Sequence, residues 1–155
     1  MLNSQAVRVG FITQLLWRRY GPFWRQLAEA AGAEAVFPTL EGVQSALRDP
    51  DVQAVPGAAF RLAAAQALSL VEEVDLLVVP RLIRETDVAR GAGQDPWIAD
   101  FPGVLRSTVP GLPPFTPVLA DLHASVESEA VAFLQGLTRD AAHVGRIWSR
   151  VRTRA

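Results

Sequence analysis

Val74-Asp75-Leu76-Leu77-Val78-Val79-Pro80-Arg81-Leu82 is the stretch from which the rest of the chain is read. Five of its first seven residues are apolar, three of them β-branched Val, and Pro80 is expected to end the run. That pattern predicts a strand buried on both faces. Such strands belong to parallel sheets covered by helices on each side. In open sheets of this kind, ligands sit beyond the carboxyl ends of the strands. Arg81, Arg84 and Glu85, which follow the strand, are therefore the first place to look for function.

Upstream of it, residues 7–12 read as a first strand. A loop over 13–20 then gathers Trp17, Arg18, Arg19 and Tyr20. Gly21-Pro22 opens a helix, with Pro22 at the first helical position, and Gly32 stops it. Residues 33–38 form a short second strand, and Thr39 caps a helix over 40–47. Asp49-Pro50-Asp51 is a turn, followed by a weak third strand over 52–55. The Ala- and Leu-rich stretch 58–73 predicts a helix apolar nearly all round and hence buried.

Downstream, 83–114 is rich in Gly and Pro, with a short helix expected within 98–107. A last strand covers 117–122. Ser125 then caps a final helix whose apolar seam repeats every three or four residues, from Val126 through Phe133, Leu134 and Val144 to Val151. Over about 25 residues it would reach roughly 38 Å. Its projecting part would pack on a second copy, with Trp148 as a dimer anchor. Gly136 and Gly145 argue against a rigid, uninterrupted rod. The expected architecture is one α/β domain over 1–155, with its core at about 7–135 and a long C-terminal helix at about 125–152. It is a three-layer, open, mostly parallel sheet of about five strands with helices on both faces.

A chain of 155 residues supports a single domain with a real core. A formal net charge of −1 gives no long-range field for nucleic acid or an acidic membrane. All 15 basic residues are Arg, so a Lys Schiff base and a P-loop Lys are excluded. The absence of Cys excludes disulfides, thiolate catalysis and Cys-held metal within the chain. His123 and His143 are too few for a His-based metal site. No signal peptide is evident and no apolar run approaches the roughly 20 residues needed to span a bilayer. A cytoplasmic location follows by default.

The order of several short motifs carries a resemblance. Val9-Gly10-Phe11-Ile12 comes first, then Pro22-Phe23-Trp24 with Ala31-Gly32-Ala33-Glu34 at the helix end. Val55-Pro56-Gly57-Ala58-Ala59-Phe60, the stretch from Asp75 to Pro80, Asp95-Pro96-Trp97, Phe101-Pro102-Gly103-Val104-Leu105 and Thr116-Pro117-Val118-Leu119 follow. In this order the chain, over about 7–135, resembles the domain of 2-hydroxyacyl-CoA dehydratase subunits and the uncharacterised domain attached to their activator proteins. The resemblance implies an iron–sulfur cluster held by three Cys, at positions that match Ala59, Arg81 and Asp95 here. None of these carries a thiolate, so the iron chemistry of the family does not carry over, and no cofactor is expected.

With Arg81 at one of those positions, the cleft changes from metal-binding to anion-binding. Arg61 stands near the start of the helix after the third strand, where backbone N–H groups favour anions. Arg18 leaves the first strand on the same side. Arg18, Arg61 and Arg81 are thus candidates to converge on an anionic small molecule, a carboxylate or a phosphate of CoA type. The plainer alternative is surface or Glu-paired arginine, with Glu85 neutralising Arg81. His123 beside Asp121 is conceivable as a general base, although a lone His at a strand end is more often structural. Asp75 lies at the wrong end of its strand. Neither Gly-x-Ser-x-Gly nor Gly-x-Gly-x-x-Gly occurs. The functional expectation is a cluster-free binding or interaction module. A small metal-free enzyme acting on an acyl-CoA or organic acid, and a structural dimerising subunit, are the alternatives.

Overall fold

The opening stretch forms β3 (Leu76–Arg81), with Leu77 through Pro80 buried. In the computed structural model, which describes residues 6–82, 95–120, 127–138 and 141–152, β3 lies between β1 (Arg8–Phe11) and β4 (Phe115–Leu119). β2 (Glu34–Val36) flanks β1, giving the order β2-β1-β3-β4, and every pairing is parallel. The register runs from Val9↔Leu76 to Phe11↔Val78 on one side of β3 and from Leu77↔Phe115 to Arg81↔Leu119 on the other.

Pro80 does not end the strand; β3 continues through it to Arg81. The ladder to β1 is over by Phe11↔Val78, two residues earlier. Pro80 therefore removes no N–H that β1 could have used, which is where a sheet tolerates proline.

The expected third strand at 52–55 is absent, and the described sheet has four strands rather than five. Asp49 caps a short helix instead, α3 (Pro50–Gln53), accepting the Asp51 N–H at 2.8 Å with Pro50 in the first turn. Val52 in this helix and Val55 just beyond it, three apart, are both fully buried.

α1 (Trp17–Ala30) starts one turn earlier than Pro22 predicts and contains it. Gly21 makes this possible, because the Trp17 indole lies over it, within 2.5 Å of where a Cβ would stand. Gly32, at φ 82°, ends the helix as expected. α2 (Leu40–Ala46) carries its Thr39 cap, whose Oγ1 accepts the Gly42 N–H at 3.1 Å. α4 (Ala58–Ser69) buries Ala63 through Ala67. α5 (Pro96–Ala99) and α6 (Phe101–Thr108) connect β3 to β4.

The long C-terminal helix is two helices, α7 (Glu127–Leu137) and α8 (Ala141–Arg152), packed on each other and on α1. A straight rod would carry Val144, Ile147 and Val151 past the sheet. Folded back, all three are buried in the chain's own core. The Trp148 indole meets the Phe23 ring edge-on at 6.4 Å.

Successive residues of β3 belong to different clusters, as period-two alternation requires. Leu77 and Val79 pack with α2, α4 and α6 through Val43, Ala64 and Phe101, among others. Val78 packs with α1, α7 and α8 through Trp24, Phe133 and Ile147.

Candidate functional site

The strand order places a reversal of winding between β1 and β3: the chain passes outward to β2 and returns across β1 to reach β3. Crevices at such points are the usual ligand sites of open parallel sheets. The segment after β1 is built tightly. The Gln66 side chain, the one buried polar side chain among the described residues, accepts the Thr13 N–H at 2.8 Å through Oε1 and donates from Nε2 to Thr13 Oγ1 at 2.9 Å. Tyr20 Oη lies 3.3 Å from the carbonyl oxygens of both Ile12 and Gln14. Burial raises the Tyr20 pKa, so the hydroxyl stays protonated. Leu15 and Leu16 follow at φ 57° and 70°, a left-handed conformation that costs a side-chain-bearing residue roughly 1–3 kcal/mol.

The three candidate arginines have different settings. Arg18 is exposed in the first turn of α1. Arg61 turns its Nε–H back to the Val55 carbonyl at 3.2 Å, fixing the bend that leads into α4. Arg81 is ion-paired with Glu129 of α7, and the pair is less than one-third exposed. Ala59 is exposed in the first turn of α4, and Asp95 caps α5 by accepting the Trp97 N–H at 2.9 Å. The Phe60 and Trp97 rings, 5.8 Å apart, bring the segments carrying Ala59 and Asp95 together. Arg81 instead engages α7, on the other cluster. Asp121, His123, Arg84 and Glu85 lie outside the described residues.

Arg81 opens onto a cavity of about 440 Å³ between β4 and α7. Phe115 and Pro117 of β4 and Ala132 and Phe133 of α7 form its apolar walls, while Thr116 and Ser128 contribute hydroxyls. The Arg106 guanidinium stands 4.7 Å above the Phe115 ring. Glu129 ties the parts together: one carboxylate oxygen takes the Arg81 guanidinium and the other accepts the Leu119 N–H at 3.2 Å. An apolar cavity with a few convergent polar groups is the usual form of a small-molecule site. The arrangement can hold a carboxylate, since it already holds one from its own chain.

Glu129 and Gln66 are the residues sequence reasoning missed. Glu129 reads as a favourable acid in the first turn of α7, and nothing local links it to Arg81, 48 positions away. Gln66 had a signal, a single amide inside an alanine run. Leu15 and Leu16 had none, because leucine does not announce a left-handed backbone.

Among the described residues no three His, Asp or Glu side chains gather as a metal site. No described helix is long and apolar enough to cross a membrane. Comparison with protein-family models, with curated proteins and with solved structures finds no match to this chain.

Proposed function

We propose that the chain is a non-catalytic binding module for an organic carboxylate, held by Arg81 in the cavity between β4 and α7. The observation that carries this reading is the Glu129 carboxylate on Arg81, inside a cavity of about 440 Å³ with apolar walls. The paired groups are about three-quarters shielded from water, where a charge-assisted Arg–carboxylate contact is stronger than at an open surface. A ligand carboxylate would take the place of Glu129, and the apolar lining would cover the rest of the ligand. In this reading the resemblance to the dehydratase and activator domain is one of scaffold, a three-layer α/β frame without a cluster. Arg18 and Arg61 do not touch the ligand.

The test is ligand-dependent melting across short-chain acids, aromatic acids and acyl-CoAs. At a ligand concentration of about 100 Kd the gain is about 2.7 kcal/mol, or roughly 5–10 °C in Tm for a domain of this size. Glu129→Gln should enlarge the shift and Arg81→Met should abolish it. Unmoved melting in both the unmodified chain and Glu129→Gln would refute the reading. Turnover of a bound acid would replace the binding module by a small metal-free enzyme.

A further inference from the structure

We infer that the groove along the outer edge of β4 receives the free carboxyl end of an extended peptide, and that Glu129 stands in for that terminus in the unliganded chain. This rests on the reading that Arg81 holds a carboxylate, and it names what carries the carboxylate.

The register of β4 fixes which of its main-chain groups face β3. Leu77 N–H donates to the Pro114 carbonyl at 2.9 Å, and Ala120 N–H donates to the Arg81 carbonyl at 3.0 Å. Even-numbered residues of β4 therefore turn their main-chain groups to β3, and Phe115, Pro117 and Leu119 turn theirs outward. An edge with no strand beside it among the described residues invites another strand, and three devices restrict what this one accepts. Pro117 has no N–H to offer. The Leu119 carbonyl accepts the Trp24 indole N–H at 3.3 Å. The Leu119 N–H is taken by Glu129. Among the described residues, the outward carbonyls of Phe115 and Pro117 remain as a pair of acceptors two residues apart.

A parallel strand laid on this edge bonds in a fixed way. The residue whose N–H donates to the Pro117 carbonyl offers its own carbonyl oxygen to the Leu119 N–H. If that residue is the last of its chain, the oxygen belongs to a carboxylate. One oxygen meets the Leu119 N–H and the other is free for Arg81, which are the two bonds that Glu129 makes now. The residue two before it donates its N–H to the Phe115 carbonyl. A short organic acid could use Arg81 but has no N–H groups for these carbonyls, so the edge adds selectivity for a peptide end. Strand addition and terminal-carboxylate capture are both established modes of peptide recognition.

Two pools of N-acetylated random pentapeptides, one with free carboxyl ends and one amidated, are titrated into the full chain, with valerate as a short acid. Amide NMR signals of Phe115 and Leu119 give the location. The expected result is at least about tenfold tighter binding of the free-carboxyl pool than of the amidated pool or valerate, the equivalent of one charge-assisted contact. Glu129→Gln should tighten it by about tenfold more, Arg81→Met should abolish it, and the Leu119 signal should move. The unmodified chain is measured in parallel, so a variant that fails to fold leaves the comparison of pools intact. Equal binding of the two pools, or shifts away from β4, would overturn the inference. Valerate binding through Arg81 as tightly as the free-carboxyl pool would overturn it while leaving the carboxylate module standing. Binding by neither pool nor valerate would end both.

Discussion

Against Leu77 and Val79 of β3, α4 presents Ala63, Ala64, Ala65 and Ala67; against Val78, the neighbouring helices present Tyr20, Trp24 and Phe133. The alanine side packs without slack. A Cβ on Gly10 of β1 would come within 2.9 Å of the Val74 side chain and 3.1 Å of the Leu70 side chain. The aromatic side fills its space with few, large groups in edge-on contact: Phe23 with Trp24 at 5.1 Å and Trp24 with Phe133 at 5.3 Å. Two of its buried rings also have a polar tip on the main chain, Tyr20 at the end of β1 and Trp24 at Leu119. Small residues buy proximity and leave no room for growth. Large rings leave no substitute when one is lost.

The largest effect should come from the ring side. Trp24 is fully buried and its indole N–H satisfies a carbonyl on the outer edge of β4. Trp24→Ala should lose about 3–5 kcal/mol, the range for truncating a buried aromatic. Trp24→Phe should lose less, and its residual deficit would report the Leu119 contact. Denaturant midpoints at unchanged slope measure both. A loss under about 1 kcal/mol for the alanine variant would mean that α1, α7 and β4 do not share one packed core.

How much of this could be read from the chain follows the same divide. The apolar run of β3, the Thr39 cap and the Gly32 stop are local chemistry, and all three are legible in the sequence. Residues 52–55 misled because two Val three apart satisfy a turn of helix as well as a weak strand, and the Asp49 cap decides for the helix. The C-terminal seam kept its period across the break. Periodicity shows which residues face the core, not whether the helix doubles back to reach it. The site was half legible. Arg81 is marked by its place at the end of the central strand, whereas Glu129 is brought to it only by the return of α7 across the sheet.

A middle-sized effect should come from the alanine side, by addition. Gly10→Ala gives up the flexibility of glycine in the unfolded chain, a gain of about 0.4–1 kcal/mol. It also drives a methyl into Val74, whose β-branched side chain has few rotamers to retreat into. Overpacking of this kind costs about 1–3 kcal/mol, so a net loss of roughly 1–2 kcal/mol is expected. Pairing it with Val74→Ala should recover part of the loss in a double-mutant cycle. Strict additivity would show that β1 and the segment before β3 are not in tight contact.

The smallest effect lies outside both cores, at the opposite end of β3 from Arg81, and it is visible only against pH. Asp75 accepts the Arg8 backbone N–H at 2.9 Å and pairs with the Arg8 guanidinium at 3.5 Å. The backbone bond is the main cause that lowers its pKa; desolvation opposes it, and the side-chain bond and the charge of Arg8 add to the lowering. A carboxyl whose pKa is lower folded than unfolded stabilises the fold above the unfolded value of about 4. That contribution fades as the pH falls through the folded value. Asp75→Asn should therefore melt slightly below the unmodified chain at pH 7, and the gap should close in acid. Both partners are about half exposed, so salt should narrow it as well. A gap that is constant from neutral pH to below about pH 3 would assign the difference to packing at the start of β3 rather than to the charge on Asp75.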